Sequence, residues 1–362
     1  MPVPIGSALN EWLDGNAAGL DDGRADPASL LPRLAAAGLF GIGVPAAWGG
    51  QGGEVAEAVE AIAAISSRSL AAGFVFWSQR TYIEFLLQSP NEGLRSRLLP
   101  DLLTGALAGA TGLSNAMKFL AGLEALQITA APQGAGYSLD GRMPWVTNLR
   151  PQGFHVAAAI AHADGSGAMV ASLPSDAPGL RRTEDLSLLG LRGTNTAAID
   201  LHGVKLSPDD IIHPQAGLWL PQVRPAFLGL QCGMSIGLAR RALQEATERG
   251  GAAREVLRLP LGELSARLAA EEKALRDGLR ALHFQARPAP LFELRIRLAD
   301  IVAEAVGLEL QASGGRAYLQ PQGEDFARRW REAAFIPVIT PSLVQLKAVL
   351  AARPEAVAGC AA

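Results

Sequence analysis

The chain has 362 residues, of which 49% are hydrophobic and 19% charged, and its formal net charge is −3. That length is enough for two or three domains with full cores, and the dispersed Lys and Arg leave no basic footprint for nucleic acid or an anionic membrane. The apolar runs 35–47 and 335–344 are short and broken by Gly or Pro, so no membrane-spanning helix is expected, and Met1-Pro2-Val3-Pro4 lacks the regions of a leader peptide, which points to the cytoplasm.

In chain order, residues 1–104 read as a helical domain. Asp26 before Pro27 supplies a cap and an early helical proline, and Gly38 closes that helix. Val44-Pro45-Ala46-Ala47-Trp48-Gly49-Gly50-Gln51-Gly52 is a tight loop whose glycines let two helices pack. Helical patterns with small residues follow at 54–67, 70–87 and 91–103.

From Gly105 the pattern changes to short β-branched runs, which predict a central sheet domain over 105–215. Asp140-Gly141 reads as a hairpin turn, since Gly tolerates positive φ. Strands are expected at 154–162 and 168–173, around Asp164-Gly165-Ser166-Gly167, and at 197–206 before Pro208. After about Pro221 the helical period returns, and 216–362 reads as a helical bundle. Phe227, Leu228, Leu230, Cys232, Met234 and Ile236 put apolar side chains on every face, as a buried helix start does, and further helices are expected at 261–285, 291–313 and 324–334. A ligand pocket belongs at the junction of bundle and sheet. Cys232 in an apolar helix, Cys360 in a small-residue tail and five scattered His residues build neither a disulfide framework nor a metal site.

Four stretches carry chemistry. Gly105-Ala106-Leu107-Ala108-Gly109-Ala110-Thr111-Gly112-Leu113-Ser114-Asn115 precedes Tyr137-Ser138-Leu139-Asp140-Gly141-Arg142-Met143-Pro144-Trp145-Val146-Thr147-Asn148. Leu188-Leu189-Gly190-Leu191-Arg192-Gly193-Thr194 and Gln311-Ala312-Ser313-Gly314-Gly315-Arg316-Ala317-Tyr318 follow. A Trp-Val-Thr run alone also suits ordinary sheet core, and Gly314-Gly315 alone also suits a helix stop. Together, and with the 44–52 loop, they resemble the acyl-CoA dehydrogenase family. The resemblance covers nearly the whole chain and implies an α+β fold: an N-terminal helical domain, a β-barrel-like sheet domain and a C-terminal four-helix bundle.

The resemblance further implies FAD. A flavin needs an aromatic or apolar wall and donors at its N5 and O4 edge. Trp145 stands at the wall position. Residues two apart on a strand share a face, so Thr147 is expected beside it as a donor to N5, with Leu113, Ser114 and Val146 completing the ring site. In the family the segment of Gln311, Gly314 and Gly315 meets the adenosine half of a flavin held mainly by a neighbouring subunit, which implies a homodimer or homotetramer. Two phosphate contacts are lost. The family's Arg-x-x-Phe-Gly has only Arg254 nearby, and Met117-Lys118-Phe119-Leu120-Ala121 replaces its Gly-Ala-Gly-Ser-Asp run.

The largest departure concerns the base that removes the α-proton of an acyl-CoA while a hydride leaves for N5. The family's Tyr-Glu-Gly-Thr loop is here Phe335-Ile336-Pro337-Val338-Ile339-Thr340-Pro341-Ser342, with Val338 at the Glu position and Thr340 at the Thr. The alternative station, on the first bundle helix, holds Phe227 and Leu228. Three readings remain, in this order: a flavin oxidoreductase on an acyl-CoA or related thioester, passing electrons to a protein partner or oxygen; a flavin monooxygenase, which needs no substrate base; and a non-catalytic relative.

Overall fold

One helix in the first hundred residues is buried along almost its whole length, and the fold is arranged around it. In the computed structural model, which describes residues 5–120, 122–251 and 254–352, this helix is α4 (Leu70–Leu87), following α1 (Ser7–Asp22), α2 (Leu30–Ala36) and α3 (Val55–Ser66). Every residue from Leu70 to Leu86 is buried. Most of its polar side chains are therefore committed to partners, Thr81 excepted. Arg80 donates to the carbonyls of Ile42 and Gly43 and pairs with Glu84 at 2.8 Å. The 42–52 loop thus closes onto the helix, and α5 (Glu92–Leu103) completes the layer. At the head of α2, Asp26 accepts from the Ala28 N–H at 2.9 Å, as its cap position requires.

The sheet domain comprises β1 (Ala108–Thr111), α6 (Ser114–Leu120), β2 (Ile128–Gln133), β3 (Gly136–Val146), β4 (Phe154–His162), β5 (Ala168–Pro174), β6 (Leu180–Arg182), β7 (Ala197–Leu206) and β8 (Ile211–His213). The strands run β6-β7-β3-β2-β4-β5-β8, with β1 added parallel to β4. Asp140-Gly141 is not the hairpin turn expected from the sequence. The β2–β3 turn lies at Gly134-Ala135, where Gln133 pairs with Gly136, and β3 continues through Asp140-Gly141 as a bulge against β7. Gly141 has φ of 145°, and a Cβ there would lie 2.2 Å from the Gln127 carbonyl oxygen. Its glycine thus serves a bulge, while the Asp140 carboxylate accepts from Gly203 N–H across it.

The remaining helices are α7 (Ala216–Arg249), α8 (Arg254–Arg280), α9 (His283–Ala286), α10 (Ala289–Ser313), α11 (Glu324–Phe335) and α12 (Leu343–Ala351). Together they give the acyl-CoA dehydrogenase-like architecture that the sequence led us to expect. Two details differ. The helix expected over 261–285 starts at Arg254 and breaks at Leu282, which takes a left-handed φ of 55°, and α12 was not foreseen. By length and composition the stretch Glu324–Ala351 could cross a membrane, but α11 ends at Phe335 and α12 begins only at Leu343, with Pro337 and Pro341 between them. Cys232 is buried, which pushes its thiol up to about 12; Cys360 lies outside the described residues.

Candidate functional site

The ends of β1 and β3 meet through a buried amide. Asn148, which takes φ of 66°, donates to the Gly109 carbonyl at 2.9 Å and to Gln79 Oε1 at 3.0 Å. Gln79 Oε1 also accepts from Gly109 N–H at 2.6 Å. Nothing larger than Gly fits at 109 without displacing the Tyr82 ring, 2.8 Å from where a Cβ would lie. This network ties the segment that continues to Leu113 and Ser114 to the one that ends in Trp145, Val146 and Thr147. Leu113 and Val146 are core residues, Ser114 opens α6, and Trp145 is 62% exposed.

Alternation along β3 ends with the strand at Val146. Thr147 accordingly does not match Trp145 in exposure: it is only 6% exposed and its hydroxyl is 3.0 Å from that of Thr196. Thr196 in turn lies 2.7 Å from the Thr194 hydroxyl, which donates to the Leu191 carbonyl at 2.8 Å. Leu191 is itself held, its N–H bonded to the buried carboxylate of Asp21 at 2.9 Å. The same carboxylate accepts from Arg331 on α11, so α1, the 190–196 loop and the bundle meet at one residue.

In place of a glycine-rich run the chain forms α6. Asn115 closes the loop behind it, donating to the Ala125 carbonyl and accepting from Gln127 N–H, and Lys118 is paired with Glu124 at 2.7 Å. Met117, Leu120 and Leu123 face Leu228, Phe292 and Leu346 across a cavity of about 90 Å³, well under the roughly 300 Å³ at which small-molecule pockets begin. Tested against a flavin, the exposed indole of Trp145 fits a ring wall, while the Thr147 hydroxyl is buried against Thr196. The pyrophosphate finds no small-residue cradle at 117–120, and the Arg254 side chain lies outside the described residues. Among the described residues no three His, Cys, Asp or Glu side chains gather as a metal site.

Pro341 and Gln345 border the same cavity, so the 336–341 loop adjoins α6. The loop is clamped from behind. Arg295, 1% exposed, donates to Gln231 Oε1 and to the carbonyls of Ile336 and Ile339 at 3.3 and 3.2 Å, and Gln231 donates to the Thr340 carbonyl at 3.1 Å. No carboxylate pairs with Arg295 among the described residues, and burial lowers its pKa. Val338 is 60% exposed and Thr340 is half-buried. The other station is filled: Phe227 is buried, edge-on to Trp77, whose indole N–H donates to the Phe227 carbonyl. Gln311, Gly314 and Gly315 are exposed and stand apart, where α10 stops at Gly314 with φ of 57° and adjoins a groove lined by Leu310, Tyr318, Trp330 and Asp22.

Sequence reasoning missed Gln79, Thr196, Asp21, Gln231 and Arg295. Gln231 and Arg295 did leave a signal, each a polar residue inside an apolar helical stripe, which requires a buried partner.

The architecture is that of an acyl-CoA dehydrogenase-like protein. Residues 8–106 match the family described as acyl-CoA dehydrogenase, N-terminal domain. Benzylmalonyl-CoA dehydrogenase of Aromatoleum aromaticum is 24% identical over 246 residues, covering 67% of this chain and 65% of that relative, just under two thirds of its length. A glutaryl-coenzyme A dehydrogenase structure with glutaryl-CoA superposes with a TM-score of 0.81 at 17% identity, over 97% of this chain and 96% of that one. A dibenzothiophene monooxygenase from Paenibacillus sp. A11-2 does so with a TM-score of 0.75 at 19% identity, over 94% and 93%. The chain is thus similar to the acyl-CoA dehydrogenase family in its N-terminal match and in its fold.

Proposed function

We propose that the chain is an FAD-dependent oxidoreductase acting on an acyl-CoA or related thioester. The observation that carries this reading is the Gln79–Asn148–Gly109 network, which ties together the two segments that bear Ser114 and the exposed indole of Trp145. A bound flavin supplies the hydride-accepting centre. In this reading Trp145 walls the ring, Ser114 meets its O4 edge, and the N–H groups of the clamped 336–340 loop face the substrate carbonyl as oxyanion donors. With Val338 in the family's base position, the chain offers no carboxylate there for the α-proton. A homodimer, each subunit lending its 311–315 segment to the other's flavin, completes the proposal.

A second reading is a flavin monooxygenase on the same scaffold. It is favoured by Val338 and by the structural likeness to the dibenzothiophene enzyme, since oxygen chemistry needs no substrate base. The test is an absorbance spectrum of the purified protein, before and after incubation with FAD. Flavin bands that bleach with an acyl-CoA support the first reading. Bands that bleach only with a chemical reductant and return rapidly in air support the second. No flavin absorbance under any of these conditions would remove both.

A further inference from the structure

Two ion-pair bridges tie the α3 segment to α8 and leave a gap between them. At one end Glu54, the N-cap residue of α3, accepts from Arg280 at 2.7 Å. At the other, Arg240 of α7 donates to Glu60 at 2.6 Å and to Glu272 at 2.8 Å. Helical spacing sets one further charged residue of each segment between these bridges. Glu57 lies three residues from both Glu54 and Glu60, and Arg276 four from both Arg280 and Glu272, so each shares its neighbours' face. This middle position has complementary charges but no bridge. Among the described residues Glu57 makes no ion pair, and Arg276 has only its chain neighbour Asp277, at 3.9 Å. Both side chains instead line a cavity of about 570 Å³ over the buried side chains of Val59, Ile236 and Leu275. That volume falls within the roughly 300–1,000 Å³ of small-molecule sites. The Glu57 carboxylate lies back against the cavity rim, where only a glycine leaves it room: a Cβ on Gly53 would come within 2.0 Å of Oε2.

We propose that this cavity binds a small zwitterion with an apolar body, an aromatic amino acid or a dipeptide of apolar residues, whose ammonium donates to Glu57 and whose carboxylate accepts from Arg276. Such a molecule gives each of the two side chains a charge-assisted hydrogen bond and lays its apolar part on the floor between them. A nucleotide or other polyanion does not suit the cavity, since Glu57, Glu60 and Glu272 all line it. None of the residues at the β1–β3 junction or in the 336–341 loop borders it, so the proposal stands apart from the flavin reading.

The test is calorimetric titration of the full chain with L-phenylalanine and with the dipeptide leucyl-leucine, each up to millimolar concentration. At least one should bind, and the tighter of the two reports the spacing of the charges. N-acetylation of that ligand removes its ammonium and amidation removes its carboxylate. Each change should weaken binding to the wild type by about tenfold, as loss of one charge-assisted hydrogen bond does. Glu57→Gln should weaken the unblocked ligand by a similar factor and no longer distinguish it from the N-acetyl form. Arg276→Gln should do the same for the amide form. Both side chains are exposed, so the variants should melt with the wild type in the absence of ligand. The blocked ligands keep the test open on the wild type alone should a variant fail to fold. Absence of binding by both molecules, or binding that neither the blocked forms nor the substitutions weaken, overturns the proposal.

Discussion

Gln231 on α7 and Arg295 on α10 hold each other by a side-chain hydrogen bond, and between them they take up the carbonyls of Ile336, Ile339 and Thr340. The loop bearing Val338 is therefore set from the bundle interior, by groups that never reach the surface themselves. Its counter-charge is a set of peptide dipoles rather than an acid, an arrangement that tolerates a buried guanidinium only while every acceptor stays in place.

Arg295→Met should destabilise the fold, at about 1–3 kcal/mol for each buried acceptor left unsatisfied. Arg295→Lys should recover only part of this, because an ammonium lacks the planar fork that reaches several acceptors at once. Urea unfolding gives the ranking, and limited proteolysis gives the location. New early cleavage is expected between Phe335 and Leu343, and its absence in the Met variant would show that the clamp does not hold the loop.

Acid should weaken the chain through His155. The Tyr82 and Ser172 hydroxyls and His155 Nδ1 form one hydrogen-bonded chain, over 2.6 and 2.8 Å. Burial, helped by Arg97, depresses the histidine from 6.5 to about 4. An unfolded chain takes up a proton at this residue below about pH 6.5 that the folded one refuses until about pH 4. Stability is thus fully present above 6.5 and falls toward 4, by on the order of 3 kcal/mol in total. His155→Asn keeps an acceptor but no titration, so its urea midpoint should lose this slope. Parallel pH profiles for the two proteins would contradict the assignment.

Asp21 and Arg331 should behave unequally although they form one ion pair. Asp21 is fully buried and also satisfies Leu191 N–H, while the Arg331 side chain is 43% exposed. Asp21→Ala should cost about 1–3 kcal/mol, as an orphaned buried N–H does. Arg331→Ala should cost less, because the Asp21 carboxylate keeps the Leu191 N–H and can neutralise itself by taking up a proton. Chemical denaturation of both variants decides, and the opposite ranking would sink the account.

Val338→Glu should introduce acyl-CoA dehydrogenation that the natural chain performs slowly or not at all. General-base catalysis is worth roughly 10²–10⁴-fold, and the gain should grow as pH rises through the carboxylate range, measured with an artificial electron acceptor. Robust turnover of straight-chain acyl-CoA by the natural chain would instead reveal a base elsewhere.

The architecture was legible because hydrophobic period and turn residues act locally. The sequence limits 70–87, 154–162 and 197–206 coincide with α4, β4 and β7. Trp145, Thr147 and Ser114 stood out for the same reason, lying in compact motifs. What could not be read were relationships between distant segments. Asp140-Gly141 has the composition of a turn, and only its pairing with β7 and the nearby Gln127 carbonyl makes it a bulge. Thr147 obeys strand alternation until the strand stops, and the partner that fixes its hydroxyl lies 49 residues later. Met117 to Leu120 were recognisable as unlike a phosphate cradle, but not as a helix that fills the space below it.

The Gln79–Asn148–Gly109 junction bears on recombination between relatives. Gln79 belongs to the helices before β1, while Gly109 and Asn148 belong to the sheet, so the join between β1 and the end of β3 depends on a residue from the helical side. A chimera cut between α5 and β1 keeps this join only if its donor of the preceding helices also carries an amide at 79. Gene-shuffling crossovers would be better tolerated upstream of α4, where this helix travels together with the strands it braces.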